Sequence, residues 1–399
     1  MSLEKISVKF PQIDLPSFLA LFDHPLNVHT IEIDFVSKIN NLIELISQCV
    51  SVTSICLRSV NLTQQNLTIF HNLKNLEHLE ISHCYFTQDQ ICSLFFAAPF
   101  SLKSLNIAFN HATILILPTL VPYLTRCSQL SSLVLMGNNV ITHQNMPFPH
   151  AQSTDSNFSV AMIKSPVDDQ LFHSLNFYCS LSLLDLTNTS SNMDTCISLK
   201  QCFHFSKKLL SLNLSQNPAI NDSCCEHLCD VTSLTNLNLS FCSITDIGFS
   251  ILISGGLLKP SILNLNNNQI ALTKFDRVAP CFFLRNLSLG KNPIDVDVID
   301  VLSVVFPALT TLDLHSCFIK SSQKLISLIR HLSLTNFILW DNLLTIKDFI
   351  SIFDYLGQFN HSVPIFLDLK YNNINLRLVP PNTQKTNAIF DLKYNCEPH

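Results

Sequence analysis

Six consecutive residues, Cys224-Cys225-Glu226-His227-Leu228-Cys229, gather the side chain types that most often hold a metal. Structural zinc sites use paired Cys-x-x-Cys or His modules, because that spacing lets two ligands reach one ion. This segment lacks such a pair and falls within a stretch of helical apolar spacing, where cysteine acts as a small buried hydrophobe. The fifteen histidines contain no His-Glu-x-x-His pattern. Six glycines, at 137, 248, 255, 256, 290 and 357, build neither a phosphate-cradling loop nor a nucleophile elbow. Serine and aspartate are plentiful but recur at fixed intervals, so their abundance implies no catalytic triad. The residues therefore point to no catalytic group, no metal and no cofactor, and the chain is read as a non-enzyme.

Composition narrows the class further. Apolar residues make up 47% of the 399 and charged residues 13%, which argues for extensive burial and against disorder. A formal charge of −5 leaves no electrostatic footprint for nucleic acid or an anionic membrane. The opening MSLEKISVKFPQIDLP is interrupted by Glu4, Lys5, Lys9 and Asp14, unlike a secretory leader. The longest apolar run, Ile114 to Leu124, is broken by Pro118 and Pro122 and is too short to span a bilayer. Fifteen scattered cysteines are then expected to be reduced thiols in the cytoplasm.

One pattern organises the whole chain. Leu-x-x-Leu-x-Leu-x-x-Asn/Cys-x-Ile/Leu recurs, most clearly at Leu234 to Ile244 and Leu284 to Ile294. Units begin at 3, 28, 52, 76, 102, 130, 181, 209, 234, 260, 284, 309, 334, 364 and 387. The steps are 23 to 30 residues apart from one of 51, whose midpoint carries a degenerate copy at Asp155 to Ile163. That copy, or else a loop insertion within 144–180, fills the gap. Leu-x-Leu alternation makes a strand with one buried face. At the following turn stand Asn110, Asn138, Asn217, Asn268, Asn292, Asn342, Asn372 and Asn395, with Cys84, Cys242 and Cys317 replacing Asn in three units and Thr189 in one. A polar side chain there is expected to satisfy turn backbone groups. An apolar segment of helical spacing follows, with Asn221-Asp222 and Thr245-Asp246 placed as N-caps.

The stretch Cys242-Ser-Ile244-Thr245-Asp246-x-Gly248 resembles the ribonuclease-inhibitor-like leucine-rich repeats, particularly their cysteine-containing subtype. The resemblance covers essentially the whole chain. It implies an α/β leucine-rich-repeat solenoid, a horseshoe of about 15–16 repeats spanning 1–399 as one domain. Parallel strands would line the concave face and helices the convex face. It also implies an intracellular module or scaffold that grips a protein partner. Regulation of a small GTPase, or substrate reception for a ubiquitin ligase, are the alternatives. The latter would need an F-box, and Leu15 to Phe22 fits the helix of the first repeat better.

Strand alternation then selects the partner-facing residues. Arg58, Glu80, His83, Phe109 and Met136 are expected on that face in the amino-terminal half. Phe241, Lys291, Asp313, His315, Trp340, Asp341, Asp368 and Tyr371 follow in the carboxy-terminal half. Aromatics beside charges suit a binding hot spot. Repeat wording runs from Leu3 to Asn395 without a polar cap, which predicts end-to-end association or a longer architecture.

Overall fold

The computed structural model describes residues 4–9, 28–34, 42–63, 65–84, 87–99, 101–110, 113–115, 123, 126–127, 129–141, 158–161, 181–203, 208–254, 258–275, 278–358, 364–380 and 388–395. Residues 144–157 and 162–180 of the 144–180 segment, and the Leu15 to Phe22 segment, lie outside these residues. The chain forms two compact units, Met1–Leu209 and Leu210–His399.

In the first unit, parallel strands run in the order β1 (Lys5–Lys9), β2 (Thr30–Asp34), β3 (Ser54–Arg58), β4 (His78–Ser82) and β5 (Ser104–Asn106). A separate pair follows between β6 (Thr113–Leu115) and β8 (Asn139–Ile141). The main ladder continues through β7 (Ser132–Val134), β9 (Phe158–Ala161) and β10 (Leu181–Asp185). In the second unit, β11 (Ser211–Asn213), β12 (Asn236–Asn238), β13 (Ile262–Asn264) and β14 (Asn286–Ser288) pair in chain order. They are followed by β15 (Thr311–Asp313), β16 (Asn336–Ile338), β17 (Ile365–Asp368) and β18 (Ala388–Asp391). The unbroken register aligns Asn213, Asn238, Asn264, Ser288, Asp313, Ile338, Asp368 and Asp391 in one column.

Helices return the chain to the next strand: α1 (Leu42–Ser47), α2 (Gln88–Ala97), α3 (Met193–Phe203), α4 (Asp222–Leu228), α5 (Asp246–Ser254), α6 (Val301–Val305), α7 (Ser322–His331) and α8 (Ile346–Gln358). Other coils use short 3-10 turns at Leu67–Asn72, Val296–Val298 and Leu376–Leu378. No helix among the described residues is long and apolar enough to cross a membrane. Template leucines such as Leu237, Leu239, Leu287, Leu289, Leu312 and Leu314 are fully enclosed between strands and helices. Each contributes roughly 1.5–3 kcal/mol of burial. Phe249 packs against both Phe275 and Phe306 at 5.0 and 5.6 Å between ring centroids, tying successive coils together.

The expected caps form, and they also reach across coils. Asn221 accepts from the Cys224 amide at 3.4 Å, and Thr245 accepts from the Ile247 amide at 3.2 Å. Asp222 accepts from the Thr245 amide and hydroxyl at 2.8 and 2.6 Å in the next unit. A Cβ on Gly248 would strike that Asp222 carboxylate, so the position admits no side chain. Asp246 is buried and accepts from the amides of Ala271, Leu272 and Thr273 in turn. Burial works to raise the Asp348 pKa, but bonds from Thr345 and Ser322 outweigh it and hold this carboxyl below its usual value.

The turn asparagines connect coil to coil as well. The Nδ2 groups of Asn110, Asn138, Asn268, Asn292, Asn342, Asn372 and Asn395 each donate to a carbonyl of the preceding coil at 2.7–3.0 Å. The same groups donate to a carbonyl three residues back in their own coil. In the other direction Oδ1 accepts amide protons from the preceding coil, Cys84 to Asn110 at 2.7 Å and Ile319 to Asn342 at 2.9 Å among them. Cysteine reproduces the donor half, and the Cys84 sulfur also accepts the Val60 amide at 3.4 Å. The thiols of Cys84, Cys242 and Cys317 reach Leu57, Leu214 and Leu289 carbonyls at 3.7, 3.5 and 3.4 Å.

Replacing Asn342 with Ala strands the Leu314 and Leu339 carbonyls and the Cys317 and Ile319 amides. The expected loss is about 3 kcal/mol, read from the urea midpoint of Trp340 fluorescence. Asn342→Cys, which keeps a donor, is expected to lose roughly half as much. Equal losses for the two variants would contradict the shared-donor account.

Candidate functional site

Two residues separate the third apolar position of each strand from the turn Asn or Cys. The second of them is left-handed wherever it is described from Ser59 onward: His83, Phe109, Gly137, Asn188, Gln216, Phe241, Asn267, Lys291, Ser316, Asp341, Tyr371 and Tyr394 follow, with φ between 51° and 65°. Its amide donates to the next coil, as in Phe241 to the Asn266 carbonyl at 2.9 Å and Asp341 to the Lys370 carbonyl at 2.9 Å. Glycine and asparagine adopt this conformation easily, but aromatic residues do so at roughly 1–2 kcal/mol each. Phe109, Phe241, Tyr371 and Tyr394 therefore sit where the backbone resists them.

In the first unit, Arg58 is exposed and forks onto Glu80, with Nε–Oε1 at 2.7 Å and Nη2–Oε2 at 3.1 Å. Arg58 also lies 3.6 Å from Asp34. Burial pushes the Glu80 carboxyl upward, but Arg58 and Ser82 outweigh it and hold its pKa below the usual value. These charges largely satisfy one another across the ladder. His83, exposed, stacks on half-buried Phe109 with centroids 4.7 Å apart. The Phe109 ring lies over Gly137, where a Cβ would collide with it, and half-buried Met136 precedes that glycine.

In the second unit the expected residues split. Phe241, Lys291, Asp341 and Tyr371 are exposed, and Trp340 is half-buried. Asp313, His315 and Asp368, expected to face solvent, are instead each only 8% exposed. His315 is covered because its ring lies between Gly290 and Trp340, stacked on the indole at 4.4 Å and 8°. Asp313 is covered with it, accepting from the His315 amide at 3.0 Å and lying 2.8 Å from Nδ1. Asp368 is screened by Lys370, whose ammonium lies 3.0 Å from it and 3.7 Å from Asp391. Trp340 meets Tyr371 edge-on at 6.5 Å, and Tyr371 stacks on Tyr394 at 4.9 Å. Four rings thus follow one another over four successive coils.

Gly290 and Lys370 shape this tract, and both escaped the sequence reading. Gly290 precedes the left-handed residue, and its lack of a side chain opposite His315 was the available signal. Phe318, 71% exposed with φ of 57°, stands beyond the ladder where no strand alternation would select it. Among the described residues, thirteen cysteines are free thiols and no three-residue group could hold a metal. Cys224 and Cys225 are buried on α4 and Cys229 is buried at its C-cap, where burial pushes the Cys229 thiol up to about 11.

No family model matches this chain, and no curated protein matches it. The resemblance lies with solved structures. In the mouse RP105/MD-1 complex, the matched chain shares 14% identity and a TM-score of 0.56, over 98% of this chain and 69% of that one. The TLR13–ssRNA13 complex gives 18% identity and a TM-score of 0.56, over 92% of this chain. The present chain spans 56% of the TLR13 chain. An internalin from Listeria monocytogenes aligns at 18% identity and a TM-score of 0.41, over 98% and 87% of the two chains. The fold is that of an α/β leucine-rich-repeat solenoid.

Gly290→Ala forces the His315 ring out of its stack. The expected result is a shift in Trp340 fluorescence and a stability loss of roughly 1–3 kcal/mol. Unchanged emission and unchanged stability would contradict the stacking order.

Proposed function

We propose that this chain is a protein-binding module whose partner docks on the ladder face of the second unit, across Trp340, Asp341, Tyr371 and Tyr394. One observation carries the reading: Tyr371 and Tyr394 are 52% and 68% exposed while held in the left-handed conformation. Neither folding of the coil nor burial favours an aromatic there, whereas a binding surface uses such rigid, amphipathic anchors. The formal charge of −5 favours a protein over a phosphate backbone, although the TLR13 neighbour was solved with single-stranded RNA. The RP105 neighbour, solved with MD-1, is of the kind proposed here. Turn cysteines that act as Asn surrogates support the cysteine-containing ribonuclease-inhibitor-like subtype. The free thiols support an intracellular setting.

The test is affinity purification with wild type and with a Phe241→Asp/Tyr371→Asp double variant. Aspartate tolerates the left-handed region, so the variant is expected to fold, which a circular dichroism melt checks. Partners retained by wild type and lost from the folded variant support the reading. Identical partners with both proteins would overturn it.

A further inference from the structure

Three carboxylates on the ladder face of the second unit already have a basic side chain beside them. Asp368 and Asp391 share Lys370, and Asp313 holds His315. Asp341 differs. It is exposed, its Oδ2 accepts only the Ser316 hydroxyl at 2.6 Å, and no cation among the described residues pairs with it.

Its surroundings are aromatic. Trp340 precedes it in the chain, with one face of the indole closed by His315. Tyr371 occupies the same left-handed position one coil further on, and adjacent strands lie about 4.8 Å apart. The bond from the Asp341 amide to the Lys370 carbonyl at 2.9 Å ties its backbone to the coil of Tyr371, while the Ser316 hydroxyl of the preceding coil holds its carboxylate. Because Trp340 and Tyr371 meet edge to face, and Tyr371 is backed by Tyr394, the rings have little freedom to collapse over the acid.

From this arrangement we infer that Asp341, flanked by Trp340 and Tyr371, seats an arginine side chain of the protein partner. The inference rests on the ladder-face reading above and specifies its ligand chemistry. A guanidinium presents a planar fork to a carboxylate while its face lies on an aromatic ring. An ammonium pairs with the acid but lacks the planar surface for stacking. A carboxylate or phosphate would be repelled by Asp341.

Trp340 is the chain's single tryptophan, so its emission reports on this place alone. N-acetyl-Gly-Arg-Gly amide should change that emission saturably in the millimolar range, about 1–10 mM for so small a ligand. The matching Gln peptide should have no saturable effect. Asp341→Asn keeps an acceptor for Ser316 and suits a φ of 55°, so it should fold and weaken the Arg peptide at least tenfold. Asp354→Asn, an exposed acid on α8, should leave the titration unchanged. Equal responses to the Arg and Gln peptides, no saturable response, or an unaltered constant in Asp341→Asn would each overturn the arginine seat. If Asp341→Asn keeps the partner that Phe241→Asp/Tyr371→Asp loses, the arginine seat is wrong and the ladder-face reading stands. If the double variant also keeps the partner while the titration behaves as expected, the seat exists and the ladder-face reading fails.

Discussion

The structure depends on one side-chain amide placed where a coil turns. Strands of three residues leave carbonyls and turn amides with no ladder partner, and they are buried between coils. An asparagine supplies two donors and an acceptor at that point, so it satisfies its own coil and the one before it. A thiol supplies one donor and a weaker sulfur acceptor, as where Cys84 receives the Val60 amide at 3.4 Å. It remains a donor because burial pushes Cys84 up to about 11 and Cys242 and Cys317 up to about 12, keeping each protonated.

The clamp also shapes the exposed face. Once the third apolar residue is buried and the turn residue faces inward, the second of the two residues between them turns left-handed and gives its amide to the next coil, as Phe241 and Asp341 do. Its side chain is thereby presented on the ladder face, one per coil. A column results whose backbone suits glycine or asparagine, so an aromatic there opposes local preference. In the second unit, the bulky residues Phe241, Tyr371 and Tyr394 occupy it. The neighbouring column stacks His315 against Trp340 over Gly290. Local conflicts of this kind concentrate where a surface has a use beyond folding.

The fold was legible because its signal repeats. Leu-x-Leu alternation, the turn Asn or Cys, and caps such as Asn221 each appear many times, and the strands pair in the register those positions imply. Exposure was less legible. Asp313, His315 and Asp368 stand on the anticipated face, but whether an outward side chain meets solvent depends on the coil above it. Trp340 covers His315, and Lys370 covers Asp368. Strand alternation specifies a direction and carries no information about such neighbours. The cross-coil roles of Asp222 and Asp246 were hidden for a related reason, since their partners lie more than twenty residues away. The left-handed column was also missed, because its residue types point against it.

The most direct test of the clamp is hydrogen exchange at the amides whose acceptor is a turn asparagine. Those of Ile244, Ile270, Ile319 and Leu344 donate to Asn268, Asn292, Asn342 and Asn372. If the clamps hold the coils together, these amides exchange only when a block of coils opens, as slowly as the strand amides of Leu287 and Leu312. Exchange at the rate of exposed loop amides, with the strands still protected, would show that the coils stack without the clamps.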